Sequence, residues 1–215
     1  MTHRPLPAGF YARETELVAR ELLGATLECT ARGVRCSGRI VETEAYTGEE
    51  DLACHAAAGR TARTEPLYGP PGRAYVYFVY GMHWCVNAVT RRAGLPSAVL
   101  IRALEPLEGI PAMRRRRGVK RDRDLTNGPA KLCEALGITG GAHNGVSLQT
   151  SPLRILRGEE VPDADVAVTP RIGISRAVSE PLRWIIKASA FVSVFRPEAG
   201  GGRGSRPEAG GGRGV

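Results

Sequence analysis

Short runs of β-branched and aromatic residues, separated by glycine and polar breaks, most constrain the fold of this chain. The stretch Ala25–Tyr46 is rich in Thr, Val and Ile and breaks near Gly33, which predicts two paired strands. Comparable runs predict further strands at Ala74–Tyr80, His83–Thr90, Ala98–Pro106, 166–168, 171–174, 182–187 and 191–195. We therefore expect a strand-rich chain.

Two segments have the periodicity of short helices instead. The segment that starts at Glu14 and stops at Gly24 places four apolar residues on one helix face: Leu17, Val18, Leu22 and Leu23. The other segment has Pro129 at a first helical position and Gly137 after its last turn, with two leucines between them. A few helices beside many strands predict an α+β fold with a single mixed domain.

The C-terminal segment differs in composition from the rest. RPEAGGGRGS (196–205) is followed by RPEAGGGRGV (206–215), a tandem copy that differs only at its last position. A segment this rich in glycine, with no apolar side chain larger than Ala or Pro before Val215, cannot bury enough surface to fold. We expect one globular domain over residues 1–195 and a disordered tail over residues 196–215.

Positive charge dominates the composition. The chain has 30 Lys and Arg against 22 Asp and Glu, a net charge of +8, and only Lys120, Lys131 and Lys187 are lysines. Guanidinium groups suit forked contacts to phosphate, but a G+C-rich genome explains the same bias equally well. The basic run 113–124 is interpreted as a solvated loop or helix end in preference to a dedicated DNA clamp.

Cysteine use and hydropathy exclude several classes of protein. The five cysteines show neither the C-x-x-C pairs of a zinc site nor a disulfide framework, so we expect reduced thiols and no bound metal. No apolar run approaches the roughly 18 residues that span a bilayer, and the first ten residues lack the apolar stretch of a signal peptide. The sequence thus predicts a cytoplasmic protein without a membrane partner.

The segment RIVETEAY carries the first candidate chemistry. In a regular strand Ile40, Glu42, Glu44 and Tyr46 share one face. Two carboxylates beside an aromatic ring make a poor core face. Taken alone, the pattern favours an edge strand with its polar side in water over a catalytic site.

The predicted hairpin turn is the second candidate feature. Tyr80 and Met82 flank Gly81, where turns usually carry Asn, Asp or Gly. An apolar tip of this kind is typical of wedges that enter the DNA base stack when a base is displaced. A hairpin packed against another element gives the same pattern.

Five motifs occur in an order that resembles the alkyladenine (3-methyladenine) DNA glycosylase family. They are VETEAY, D-x-x-C-H at Asp51–His55, PPG-x-x-YVYFVYGMHWCVN at Pro70–Asn87, IRALEP at Ile101–Pro106 and NGPAKL at Asn127–Leu132. The resemblance covers the chain from about Pro5 to Arg196. It implies a curved antiparallel sheet surrounded by helices, with a protruding β-hairpin. It also implies a base-excision-repair enzyme that flips alkylated purines out of double-stranded DNA and hydrolyses their N-glycosidic bond.

The resemblance assigns roles to single residues. Glu44 matches the general base that activates water, and Arg102 matches an arginine that holds this base and the water. The matched walls of the flipped-base pocket are Tyr46, His55, Tyr77 and Asn87, the last of which excludes the amino group of normal guanine. His55 could instead be an ordinary core histidine, although its place in the D-x-x-C-H motif favours the pocket.

The DNA contacts follow from the same resemblance. Tyr80 matches the intercalating tyrosine, and Met82 lies beside it on the turn. Lys131 and Arg63 are expected to contact DNA phosphates, Lys131 at a helix N-terminus. The family often has an Arg-Asn pair here, whereas Arg63 is followed by Thr64, which puts a local DNA contact or turn in doubt. No cofactor is implied, and we expect a monomer, associated with the nucleoid if bacterial.

The chemistry explains why one carboxylate is enough. A purine alkylated at N3 or N7 is a cation and already a good leaving group, so Glu42 need not act as an acid beside Glu44. The electron-rich faces of Tyr46 and Tyr77 favour a cationic base over a neutral one. Neutral lesions such as hypoxanthine or ethenoadenine require protonation, for which the sequence offers no unambiguous acid. The lesion range stays open beyond 3-methyladenine and 7-methylguanine.

The resemblance implies a monofunctional glycosylase without lyase activity, and the sequence leaves three alternatives to it. A non-catalytic binder of damaged or bent DNA would have the same wedge but no use for Glu44. A helix-hairpin-helix glycosylase is disfavoured because the chain is strand-rich and lacks a cysteine cluster for iron and sulfur. A sugar hydrolase using Glu42 and Glu44 is disfavoured because two neighbours on one face cannot easily flank a scissile bond.

Overall fold

One antiparallel sheet forms the centre of the computed structural model, which describes residues 4–79, 81–150 and 152–193. Its eight strands are β1 (Thr26–Ala31), β2 (Val34–Tyr46), β3 (Ala74–Val79), β4 (His83–Val89), β5 (Ala98–Glu108), β6 (Leu153–Leu156), β7 (Val166–Thr169) and β8 (Arg183–Ile186). The strand order is β3-β4-β5-β2-β1-β6, with β8 beside β2 and β7 beside β8. The predicted α+β fold is confirmed.

Short helices surround this sheet. They are α1 (Ala8–Tyr11), α2 (Thr15–Glu21), α3 (Ile110–Arg117), α4 (Pro129–Leu136) and α5 (Gly140–His143), with 3₁₀ turns at His55–Ala58, Glu65–Tyr68, Asp122–Asp124 and Asp163–Asp165. Helix α4 begins and ends as predicted, because proline occupies its first turn and Gly137 takes the left-handed conformation at φ 77°. Within the described ranges, no helix has the length and apolarity to cross a bilayer.

Strand β2 is the central strand of the sheet. Strand β5 pairs along one side of it, while β1 and then β8 pair along the other. The register with β5 shifts on both sides of Glu42, between Ile40 and Glu42 and between Glu42 and Thr43. Such bulges disturb the strand pairing locally. Glu42, Glu44 and Tyr46 still share one face, as predicted, because both carboxylates accept from one arginine and the Tyr46 hydroxyl donates to Glu44. Glu42 and Glu44 are both 0% exposed, and the prediction of an edge strand with its polar side in water is wrong.

The buried apolar side chains form two clusters. The larger cluster packs helices against the sheet and includes Leu22, Ile40, Ile101, Leu104, Leu132 and Leu136. The smaller cluster joins the 3₁₀ turns to β3, β4 and β5 through Cys54, Leu67, Tyr68, Tyr75, Val89 and Ala98, with Tyr46 and Tyr77 packed against it. The smaller cluster underlies the aromatic end of the sheet, where the candidate site lies.

The predicted hairpin is present as an antiparallel pair of β3 and β4, in register from Ala74 opposite Ala88 to Val79 opposite His83. Gly81 has a φ of 68°, a left-handed conformation that favours glycine in the turn. Met82 is 69% exposed. Tyr80 and the repeat tail 196–215 lie outside the described residues.

Several predicted elements differ from the structure. Leu17 is exposed, because α2 turns Thr15, Val18 and Ala19 inward instead. Strand β5 continues past Pro106 to Glu108, since a register shift opposite this proline relaxes the ladder. The sequence patterns did not predict strand β6.

The strand predicted at 171–174 is also absent from the described chain. The Arg171 side chain forms a buried ion pair with Asp51, and the Ile172 N–H donates to the Glu44 carboxylate. The run predicted as a strand at 191–195 is not one over residues 191–193. Residues 194 and 195 lie outside the described chain.

Candidate active site

A cavity of about 420 Å³ opens at the end of β2, β3 and β4. Aromatic side chains form much of its wall: Tyr46, His55, Tyr75, Tyr77 and Phe78. The segment Gly173–Arg176 forms another part of the wall. The structure thus brings together the four predicted pocket residues, because Asn87 also lines this cavity.

Glu44 is buried behind Tyr46 and is not itself one of the side chains that line this cavity. Its Oε2 accepts hydrogen bonds from the Tyr46 hydroxyl at 2.9 Å and from Arg102 Nη1 at 3.1 Å. Its Oε1 accepts from the Ile172 N–H at 2.9 Å. A carboxylate has about four lone-pair sites, so three donors fix its orientation and leave one site for a further hydrogen bond. Gly173, next to Ile172 in the chain, connects this carboxylate to the cavity wall.

Arg102 joins Glu44 to the second carboxylate. Its Nε donates to Glu42 Oε1 at 3.1 Å, and its side chain is 10% exposed. Burial lowers the pKa of Arg102, but Glu44 and Glu42 together raise it above the ordinary value. Glu42 also accepts from Arg183 Nε at 2.7 Å and from the Ser193 hydroxyl at 2.7 Å. The Ser193 N–H donates to Glu42 Oε2 at 2.6 Å, so Glu42 accepts four hydrogen bonds from protein donors, one more than Glu44.

A buried ion pair anchors the segment that follows β7. Arg171 donates to both carboxylate oxygens of Asp51, at 2.5 and 2.8 Å, and to the Ala45 carbonyl at 3.0 Å. Burial raises the pKa of Asp51, but the hydrogen bonds from Arg171 outweigh it and hold the pKa below the ordinary value. The Arg171 guanidinium also lies 4.8 Å from the Tyr46 ring centroid. Since Ile172 follows directly, this pair holds its N–H on Glu44.

His55 is part of the aromatic wall rather than of the main core. Its Nδ1 lies 3.0 Å from the Tyr75 hydroxyl, and its ring meets Tyr77 edge to face at 4.5 Å. Burial and the nearby charge of Arg63 lower the pKa of His55, which keeps the imidazole neutral near pH 7. Asn87 is buried, and its amide donates to the Tyr75 carbonyl at 2.9 Å. Both side chains are thus held rigidly at the cavity.

The two predicted phosphate contacts lie in different places. Arg63 lines the aromatic cavity and donates to the Phe78 carbonyl at 3.2 Å. Lys131 lies at the start of α4, and its Nζ donates to the Asn127 side chain at 2.8 Å. It also lines a second cavity of about 670 Å³, together with Arg117, Val119, Arg121, Arg123, Asp124 and Asn127.

The basic run 113–124 forms the end of α3 and the turn after it, as the solvated interpretation predicted. Two of its arginines form ion pairs with acids of the same run: Arg114 with Asp122 and Arg121 with Asp124, both at 2.7 Å. Arg117 forms an ion pair with Glu134 of α4. Part of the positive charge is therefore balanced within the protein.

Several residues of the site escaped the sequence analysis. Strand pairing alone brings Tyr75 and Arg183 to the site. Arg171 reaches it through an ion pair with Asp51, which lies 120 positions earlier in the chain. The D-x-x-C-H motif contained a usable signal, because an aspartate in a buried motif needs a cationic partner. Among the described residues, no cluster of three or more His, Cys, Asp or Glu side chains is placed to hold a metal ion.

Comparison with known proteins gives this arrangement a family. The family described as methylpurine-DNA glycosylase matches residues 9–190. The chain belongs to the methylpurine-DNA glycosylase family. Bacterial relatives share about half of their residues with it.

Three relatives cover almost the whole described domain. A Myxococcus xanthus protein is 51% identical over 191 residues, which are 87% of this chain and 93% of the relative. A Salinibacter ruber protein is 50% identical over 204 residues, 90% and 98% of the two chains. A Carboxydothermus hydrogenoformans protein is 46% identical over 188 residues, 87% and 98%. All three carry the name "Putative 3-methyladenine DNA glycosylase".

Membership of the methylpurine-DNA glycosylase family confirms the resemblance that the five sequence motifs indicated. In this member the motifs converge in space. VETEAY supplies Glu44 and Tyr46, IRALEP supplies Arg102, and D-x-x-C-H supplies Asp51 and His55 to one end of the sheet.

Proposed function

We propose that this chain is a DNA-repair glycosylase that flips an alkylated purine out of duplex DNA into the aromatic cavity and hydrolyses its bond to the sugar. The observation that carries the proposal is the position of Glu44. Its carboxylate is held by three donors directly behind Tyr46, which itself lines the cavity. A base stacked in this cavity would place its sugar near this carboxylate.

In the proposed reaction, the C1′–N bond of the alkylated purine breaks and its electron pair leaves with the base. A water oxygen bonds to C1′, and its proton goes to Glu44. The negative charge of Glu44 also stabilises the oxocarbenium-like sugar that forms. Arg102 donates one hydrogen bond to Glu44, which it positions, and a second to Glu42. Glu42 acts as a structural carboxylate.

The cavity wall supports recognition of a flipped purine. Tyr46 and Tyr77 offer ring faces for stacking, with the neutral imidazole of His55 edge-on to Tyr77. Asn87 is fixed by its bond to the Tyr75 carbonyl, so it cannot move aside for the exocyclic amino group of normal guanine. The proposed substrate class is N3- and N7-alkylated purine.

The turn between β3 and β4 would fill the space that the flipped base leaves. Met82 is 69% exposed at this turn, and Tyr80 is proposed to intercalate beside it. For phosphate contacts we propose Lys131, because its cavity carries three arginines against one aspartate. A phosphate role for Arg63 stays a prediction.

The proposed enzyme releases the base without cutting the strand. A lyase step requires an amine that attacks C1′ to form a Schiff base. Within the described residues, the side chains that line the cavity include no lysine. This supports a monofunctional enzyme that leaves an abasic site, and we propose that it acts as a monomer.

The proposal is tested by incubating the purified full chain with duplex DNA treated with a methylating agent. We expect release of 3-methyladenine, measured by chromatography, and abasic sites that break only when alkali is added. Tight binding to damaged duplex without release would refute the glycosylase and leave a non-catalytic binder of damaged DNA. Strand breaks before alkali would refute the monofunctional mechanism.

A further inference from the structure

The charged side chains that line the aromatic cavity are all positive within the described part of the chain. They are Arg63 and Arg176, and no Asp or Glu lines the same wall. Glu44 lies behind the wall, is 0% exposed, and forms an ion pair with Arg102. A flipped base therefore meets exposed guanidinium charge before it meets the compensated carboxylate.

Arg63 is a cavity-lining cation that lies beside one of the stacking faces. Its guanidinium carbon lies 5.7 Å from the Tyr77 ring centroid, and its Nη2 donates to the Phe78 carbonyl at 3.2 Å. Burial raises the pKa of Tyr75 and the charge of Arg63 opposes this rise, whereas burial and the charge of Arg63 together lower the pKa of His55. Arg63 is thus fixed on the cavity wall, and its charge acts on the side chains of Tyr75 and His55.

A cation in this position changes the charge preference expected for tyrosine rings. The electron-rich face of a ring attracts a cationic ligand, but a guanidinium already beside the ring weakens that attraction and repels a second cation. Arg171 lies over the Tyr46 ring in the same way, at 4.8 Å, although Asp51 balances its charge. Among the described residues, no Asp or Glu forms an ion pair with Arg63.

We propose that Arg63 is a specificity residue that disfavours binding of positively charged purines and so widens the range of bases toward neutral damaged purines. The inference rests on the proposed glycosylase function. The cavity wall then discriminates between flipped bases by their charge.

The same charge helps the base to leave. When the C1′–N bond breaks, its electron pair moves onto the purine, and a neutral purine becomes negative while a cationic one becomes neutral. In both cases the base loses one unit of positive charge beside Arg63, which is favourable next to a guanidinium. Arg63 therefore weakens binding of cationic bases only, but speeds departure of both kinds.

The test uses single-turnover base release as a function of enzyme concentration, at low ionic strength, on duplexes with one 7-methylguanine or one hypoxanthine. For Arg63→Gln we expect a half-saturating concentration at least threefold lower for 7-methylguanine and unchanged for hypoxanthine. The saturating rate falls for both. Arg63→Lys keeps the charge and behaves like the parent protein. Arg60→Gln, three residues away and outside the cavity wall, is the matched control.

Other results would overturn the inference. If Arg63 contacts a phosphate, Arg63→Gln raises the half-saturating concentration for both duplexes equally and lowers the salt dependence by about one charge. If Arg63 only holds the hairpin through the Phe78 carbonyl, Arg63→Lys resembles Arg63→Gln. If the parent protein releases no base from either duplex, the proposed function fails instead. Thermal unfolding of each variant shows that it is folded.

Discussion

Replacing Asp51 with alanine should produce a large and interpretable loss of stability. The change leaves the Arg171 guanidinium buried, at 0% side-chain exposure, without its two charged hydrogen bonds of 2.5 and 2.8 Å. The Ala45 carbonyl and the half-exposed Glu180 remain as weaker partners. Removing one partner of a buried ion pair typically destabilises a protein by about 3–5 kcal/mol, and we expect a loss in this range.

The loss is measured by urea unfolding followed by tryptophan fluorescence. Glu65→Ala is the matched control, because it removes a carboxylate from an equally short ion pair with Arg60 that lies on the surface. We expect no measurable loss for this control. A loss below about 1 kcal/mol for Asp51→Ala would refute a structural role for the buried pair.

The same ion pair links stability to pH. Because the folded protein holds the pKa of Asp51 below its ordinary 3.8, the contribution of Asp51 is complete above this value and is lost as the pH falls below it. Asp51→Ala should therefore lack this part of the acid sensitivity. It should also slow base release at temperatures where it is folded, since Arg171 no longer holds the Ile172 N–H on Glu44.

Three further predictions concern the cavity. Tyr46→Phe removes the 2.9 Å hydrogen bond to Glu44 and should slow base release roughly 10- to 150-fold, as a charged hydrogen bond of about 1.5–3 kcal/mol is lost; an unchanged rate would contradict this. Burial holds the folded pKa of His55 below the ordinary 6.5, so its contribution to stability is complete above pH 6.5 and is lost as the pH falls from 6.5 through the folded pKa; in His55→Gln the urea concentration at half unfolding should therefore change less between pH 7.5 and 5.5 than in the parent protein. Asn87→Ala should release 7-methylguanine, which carries the exocyclic amino group, faster relative to 3-methyladenine than the parent protein does, and an unchanged ratio of the two rates would exclude its gatekeeping role.

The strands could be predicted well where local pattern decides them. The stretch 25–46, the β3–β4 hairpin and helix α4 follow from periodicity, glycine breaks and caps, which act over a few residues. The prediction failed at 171–174, where an apolar-looking run is held as a loop by contacts with distant residues. A local pattern does not contain such contacts.

The site shows the same division. Glu44, Arg102 and the aromatic wall were predicted from the family resemblance, which short contiguous motifs carry, and the structure brings these residues to one end of the sheet. The edge-strand interpretation of Glu42 and Glu44 was wrong because their burial depends on pairing with β5 and β8 and on donors from Arg102 and Arg183. Nothing local distinguishes a buried, paired carboxylate from a solvated one.

The expected attraction of cationic bases by Tyr46 and Tyr77 also rested on local reasoning. That argument treated the ring faces as free of other charges. The folded chain places the guanidinium groups of Arg171 and Arg63 at these rings. The charge preference of the cavity therefore depends on residues that are distant in sequence.

The most direct test of the proposed mechanism is single-turnover release of 3-methyladenine by Glu44→Gln beside Glu42→Gln. We expect Glu44→Gln to lower the rate by about 10²–10⁴-fold while affinity for the damaged duplex is retained, because only the water-activating base is lost. Glu42→Gln should lower thermal stability but keep most of the rate wherever it is folded. A Glu44→Gln protein that releases 3-methyladenine as fast as the parent would contradict the account.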